Sequence, residues 1–137
     1  MKRINKNTIE KPPRLNSTAQ QSNEVLFSFQ YLHENISYKK QKKADKEFLC
    51  DFMERLKTLG SIGWKEIRTS ARHNFGMEKI PLAKIKPQIQ QIPSKEIEYL
   101  SAFRASNDNR VFLGVQIESV FYILFIEGWF GDVYKHN

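Results

Sequence analysis

Arg104, Arg110, Tyr134, Lys135 and His136 are the residues of this chain whose types and spacing could do chemistry. A guanidinium fork fits two phosphate oxygens at once, so arginines on neighbouring strands could grip a phosphate. Imidazole titrates near neutral pH, which suits His136 to giving or taking a proton beside that phosphate. Tyr134 could stack on a base or orient the anion, and Lys135 would add charge. The same side chains would serve equally well as the polar face of a small sheet with a solvated tail.

The elements that must position them are strands. Residues 98–137 read as a three-stranded antiparallel meander, with strands over 98–105, 110–117 and 120–126. Ser106, Asn107, Asp108 and Asn109 make the first turn, because Asn and Asp tolerate left-handed backbone and bond their own main chain. Glu118 and Ser119 make the second. Arg104 and Arg110 face each other across the first turn, so their guanidinium groups could converge. Val111, Leu113, Val115 and Ile117 share one face of the middle strand; Arg110, Phe112, Gly114 and Gln116 share the other. The last strand is apolar on both faces, which predicts a central place with helices over one side.

Upstream, residues 1–23 are polar and lysine-rich and read as a disordered basic arm. A first strand is predicted over residues 25–32, then a solvated loop carrying Lys39, Lys40, Lys42 and Lys43. Phe48, Leu49, Phe52, Met53, Leu56 and Leu59 give a helical stripe over residues 44–59, with Asp45 as its cap and Gly60 as its stop. A second helix opens at Ser61, turning Ile62, Ile67 and Ala71 inward and Lys65, Glu66, Arg68 and Arg72 outward. The short break makes an αα-hairpin. Residues 74–96 form a basic connection punctuated by Pro81, Pro87 and Pro93, with an extended piece near 85–92 that proline restricts to a sheet edge. The expected fold is α+β: a helical hairpin packed on a twisted antiparallel sheet, in the order strand-helix-helix-strand-strand-strand, as one domain over residues 24–137.

A chain of 137 residues supports one buried core. Its net charge of +7 is uneven, for residues 1–22 and 64–95 hold the basic excess while 96–137 are mildly acidic. That pattern attracts polyanions, nucleic acid first among them, or an acidic protein. The lone Cys50 excludes an internal disulfide and, lying within the helical stripe, is expected to be a buried thiol. His33, His73 and His136 lie far apart, so no metal site is expected, and no glycine-rich loop announces a cofactor. The longest apolar run, Val120–Ile126, spans seven residues, far short of the ~20 of a membrane helix. With no apolar stretch behind the basic N-terminus to make a secretory signal, the expected location is cytoplasmic, with no membrane partner.

The element order, with Leu100-Ser101-Ala102-Phe103-Arg104, Arg110-Val111-Phe112-Leu113, Phe121-Tyr122-Ile123-Leu124-Phe125 and Tyr134-Lys135-His136, resembles the RelE/YoeB superfamily of bacterial toxins. Those are small ribonucleases that cut messenger RNA, on the ribosome in some cases, and are neutralised by an antitoxin protein. The resemblance covers the architecture of residues 25–137 and is specific over the last forty.

It implies a metal-independent endoribonuclease in which the RNA 2′-hydroxyl attacks the adjacent phosphate, leaving a cyclic phosphate and a free 5′-hydroxyl. Arg110, which matches the family's sheet arginine, would then hold the phosphate, with Arg104 as a second cation. His136 would be general acid or base and Tyr134 would stack or orient. Lys135, Lys65, Arg72 and Trp129 would bind the RNA, Trp129 with Phe130 as a stacking pair. Glu78, Glu98 and His73 compete for the role of base. Two rivals stand beside it: a non-catalytic nucleic-acid-binding module using the basic 64–95 stretch, and a phage- or defence-related protein-interaction domain whose charge serves solubility.

Overall fold

The computed structural model describes residues 23–33, 46–71, 74–89 and 91–136. Its elements are β1 (Leu26–Ser28), α1 (Lys46–Ile62), α2 (Trp64–Thr69), β2 (Glu78–Pro81), a 3₁₀ turn (Leu82–Lys84), β3 (Tyr99–Arg104), β4 (Val111–Ile117) and β5 (Val120–Ile126). The meander β3-β4-β5 lies where the alternation of the sequence puts it, with antiparallel pairing throughout. Both of its turns use left-handed backbone, at Asn109 (φ 75°) and Glu118 (φ 56°).

The remainder of the sheet departs from the expected one. It has five strands in the order β1-β5-β4-β3-β2 and is mixed, because β1 runs parallel to β5. Parallel neighbours need a crossover, and the helices lie on that return path. The first strand is three residues long rather than eight. The added edge strand, β2, holds one strongly apolar residue, Ile80, and owes its conformation to antiparallel pairing with β3. Pro81 ends it, at an edge where a missing N–H is tolerated. Among the described residues of 85–92, where an extended piece is expected, there is no strand. Ile85, Ile89 and Ile92 instead pack side-on over the sheet, and the Lys86 N–H donates to the Val133 carbonyl at 2.7 Å.

Each face of the sheet carries its own core. On one, Phe48, Phe52 and Leu59 of α1 and Trp64 and Ile67 of α2 pack on Phe103, Phe112 and Phe121. Phe52 meets Phe112 edge-on, with ring centroids 5.2 Å apart. On the other, Leu100, Ala102, Leu113, Leu124 and Phe125 lie beneath the 82–97 segment, Val133 and Tyr134. Full burial of each large side chain stabilises by roughly 1.5–3 kcal/mol, so the second layer adds substantially to the helical one. β5 serves both by a bulge: Leu113 pairs with Phe125 and Gly114 with Ile123, which leaves Leu124 unpaired in the ladder. Leu124 and Phe125 thereby point to the same face, and the Leu124 carbonyl accepts the His33 N–H at 2.8 Å. Gly114 is required there, since a Cβ would lie 1.9 Å from the Tyr122 carbonyl oxygen.

The helix boundary moves three residues. α1 runs through Gly60 and Ser61 to Ile62, and the break falls at Gly63, whose φ is 90°. A Cβ at Gly63 would collide with Asn23, which caps α2: its carbonyl accepts the Trp64 N–H at 3.0 Å and its side chain the Lys65 N–H at 2.7 Å. Asn23 is thus an ordered cap rather than the end of an arm. Ile67 is buried as expected, whereas Ala71 is exposed. The stripe of α1 is also wider than the sheet can cover. Leu49 and Met53 stay exposed, and Cys50 between them is an exposed thiol, not a buried one. The basic arm over 1–22, the lysine loop and the Asp45 cap lie outside the described residues.

Candidate functional site

The chain beyond β5 folds back on the second face of the sheet and builds a cleft there. Glu127 ends the two-sided apolar strand with no solvent exposure. Its Oε1 accepts the Val111 N–H and its Oε2 the Gly131 N–H, each at 2.9 Å. The Lys86 ammonium donates to the Gly131 carbonyl at 2.7 Å, and the Gly128 N–H to Asp132 Oδ2 at 3.0 Å. Val133 and Tyr134 are then buried in the second core. Together these ties hold the residues that follow against the β2–β3 edge.

The resulting cleft, of about 480 Å³, is lined by β2, by Ala102 and Arg104 of β3, by Lys84, Asn109 and Val111, and by Phe130, Tyr134, Lys135 and His136. Among the described residues its cations are Lys84, Arg104 and Lys135, against the carboxylate of Glu78; Lys79 lines the rim, but its ammonium lies on the opposite face, 4.7 Å from the Tyr99 ring. A second groove, of about 600 Å³, opens beside α2, but there Glu96 and Glu98 balance Arg68 and Lys79. The first cleft is therefore the one with a net attraction for an anion.

Within it, His136 Nε2 lies 2.9 Å from Glu127 Oε2. The imidazole stacks on Tyr134 at 4.2 Å and on Phe130 at 3.9 Å between centroids. Burial pushes the Glu127 carboxyl above its usual range, against the opposing pull of His136 and of the Val111 and Gly131 N–H groups. Arg104 donates to Asn109 Oδ1 at 2.7 Å, which steers its guanidinium along the rim. Its charge also reaches Arg55 of α1, whose pKa is lowered by burial and then by Arg104.

Of the residues singled out from sequence, Arg104, Tyr134, Lys135, His136 and Glu78 share this cleft. Arg110 does not join them. Arg104 pairs with Val111, so Arg110, one residue earlier, points to the opposite, helical face. There it is 8% exposed and stacks over the Phe48 ring at 3.8 Å. Its Nε and Nη2 donate to Asp108 at 2.8 and 2.6 Å, and its Nη1 to the Gly128 carbonyl at 3.0 Å. These ties make it the lock of the β3–β4 corner, and the expected convergence of two guanidinium groups fails through the alternation of the strand. Burial alone would raise the Asp108 pKa, but hydrogen bonds from Arg110 and Ser106 lower it to about 2. Lys65 is exposed on α2, away from the cleft, and Glu98 lines the second groove. Trp129 is 53% exposed and outside the lining, where its neighbour Phe130 takes part. Arg72 and His73 lie outside the described residues.

Sequence reasoning missed Lys84, Asn109 and above all Glu127. Its place directly after a strand apolar on both faces was the one hint for Glu127, and its burial in the fold is what obliges it to have partners. Among the described residues, no group of three or more His, Cys, Asp or Glu side chains could hold a metal ion, and no helix is long and apolar enough to cross a membrane. The chain matches no family model, no curated protein and no solved structure.

Proposed function

We propose that the cleft binds the phosphate backbone of RNA and cleaves it by 2′-hydroxyl attack, without a metal, as a toxin-type endoribonuclease restrained by an antitoxin protein. The observation that carries this reading is that Arg104, His136 and Glu78 share one cationic cleft with Lys84 and Lys135. Arg104, rather than Arg110, is the guanidinium available to two phosphate oxygens. The Glu78 carboxylate takes the 2′-hydroxyl proton as the 2′-oxygen bonds to phosphorus. The phosphorus–5′-oxygen bond breaks, and protonated His136 gives its proton to the departing oxygen. The lysines offset charge developing on the phosphate, and Phe130 offers a base a stacking surface at the rim.

Labelled RNA incubated with the purified chain, with and without chelator, tests the reading. Cyclic phosphate and 5′-hydroxyl ends are expected in both, and Arg104→Ala and His136→Ala should each lower the rate by about 10²-fold or more. Growth arrest on expression, relieved by the same substitutions, would mark the toxin role. Salt-sensitive binding with intact RNA would favour the non-catalytic module. The locking of Arg110 away from the cleft favours that second reading, since it leaves one arginine where two were expected.

A further inference from the structure

We propose that Glu127 is a positioning residue, whose buried carboxylate fixes His136 as the Nε2–H tautomer and turns Nδ1 toward whatever the cleft binds. This rests on reading the cleft as a site of proton transfer. Glu127 has no solvent exposure, and two main-chain N–H groups already anchor its oxygens at 2.9 Å. The carboxylate therefore cannot rotate, and Oε2 meets His136 Nε2 at 2.9 Å along a fixed direction. Both oxygens already accept main-chain N–H groups, so the carboxylate meets Nε2 as an acceptor and that nitrogen carries the hydrogen.

The ring plane is fixed as well. Phe130 and Tyr134 lie 3.9 and 4.2 Å from the imidazole centroid at 31° and 27°. Two rings that close and that nearly parallel cannot share one side, so the imidazole is sandwiched and works through its edge. With Nε2 taken by Glu127, Nδ1 is the nitrogen left to a ligand. In the cleavage step the Nε2 proton stays with the Glu127 contact throughout. The proton given to the 5′-oxygen is that of Nδ1, and solvent carries the proton taken by Glu78 back to restore it. The imidazolium present before transfer is held by the adjacent carboxylate.

Nitrogen-15 NMR of the full chain, above the titration of its histidines, reads the tautomer directly, with His136→Gln identifying the signals. Nε2–H is expected in the parent, and a Nδ1–H majority overturns the proposal without any variant. Glu127→Gln keeps the shape but not the charge. It should lower kcat for RNA by about 100-fold with KM within twofold, and Glu127→Asp should recover part of the loss. A folded Glu127→Gln protein that cuts at the parental rate also overturns the assignment. Failure of the parent to cut any RNA would sink the nuclease reading instead, while the tautomer measurement still decides the role of Glu127.

Discussion

His136 Nε2 and Glu127 Oε2 stand 2.9 Å apart, and the same carboxylate oxygen accepts the Gly131 N–H that shapes the loop carrying His136. One buried group thus folds the tail and holds its imidazole. A substitution at Glu127 therefore acts on the fold of the tail and on the place of the imidazole together.

The first expectation concerns pH. Burial raises the Glu127 pKa above its ordinary 4.5. The folded chain then holds this proton where the unfolded chain has released it, so stability falls as pH rises through that window, at up to about 1.4 kcal/mol per pH unit. The contribution is complete below the unfolded value and lost above the folded one. Urea midpoints of parent and Glu127→Gln should therefore diverge as pH rises above the ordinary carboxylate range, the parent losing ground; parallel curves would contradict it.

Arg110→Ala should act on the fold. It removes hydrogen bonds to Asp108 and to the Gly128 carbonyl, and a ring contact with Phe48. Asp108 is half-exposed, so a loss of about 2 kcal/mol is expected in urea unfolding. RNA affinity under conditions where the variant stays folded should be unchanged. The Asp108 share of this stability is present above the ordinary carboxylate range and lost as pH falls toward about 2, because its pKa is depressed.

Lys84→Ala should leave the melting temperature within a degree or two and weaken RNA binding. If its ammonium neutralises one phosphate, the slope of log K against log salt should shrink by about 0.7, the single-strand value. Lys65→Ala, on the far side of α2, serves as the control and should leave the slope alone.

Gly114→Ala tests the bulge. A methyl there would meet the Tyr122 carbonyl oxygen at 1.9 Å, against main chain that cannot step aside cheaply. Destabilisation of about 3 kcal/mol is expected, seen as a lowered thermal midpoint.

The meander was legible because alternation in Val111–Ile117 and the two-sided apolar run Val120–Ile126 leave little choice of register. β2 was not, because four residues with one apolar side chain of consequence carry almost no periodicity, and pairing with β3 decides their state. Gly60 misled as a helix stop, since position alone does not tell a glycine tolerated inside a helix from Gly63, which the crowding of Asn23 demands. Arg104, Tyr134, Lys135 and His136 could be picked by type, and the fold brings them together. Arg110 was picked by the same logic and lost, because one step along a strand changes the face. Glu127 needed its burial to be recognised.

Leu26, Phe27 and Ser28 take their ladder partners from Val120, Phe121 and Tyr122, about ninety positions later. At ~5–20 residues per second, a nascent chain carries its opening strand unpaired for roughly five to twenty seconds. The sheet closes only after Tyr122 has cleared the exit tunnel, and the pocket only after His136 has followed. The cleft that holds His136 is therefore completed after the strands that line it.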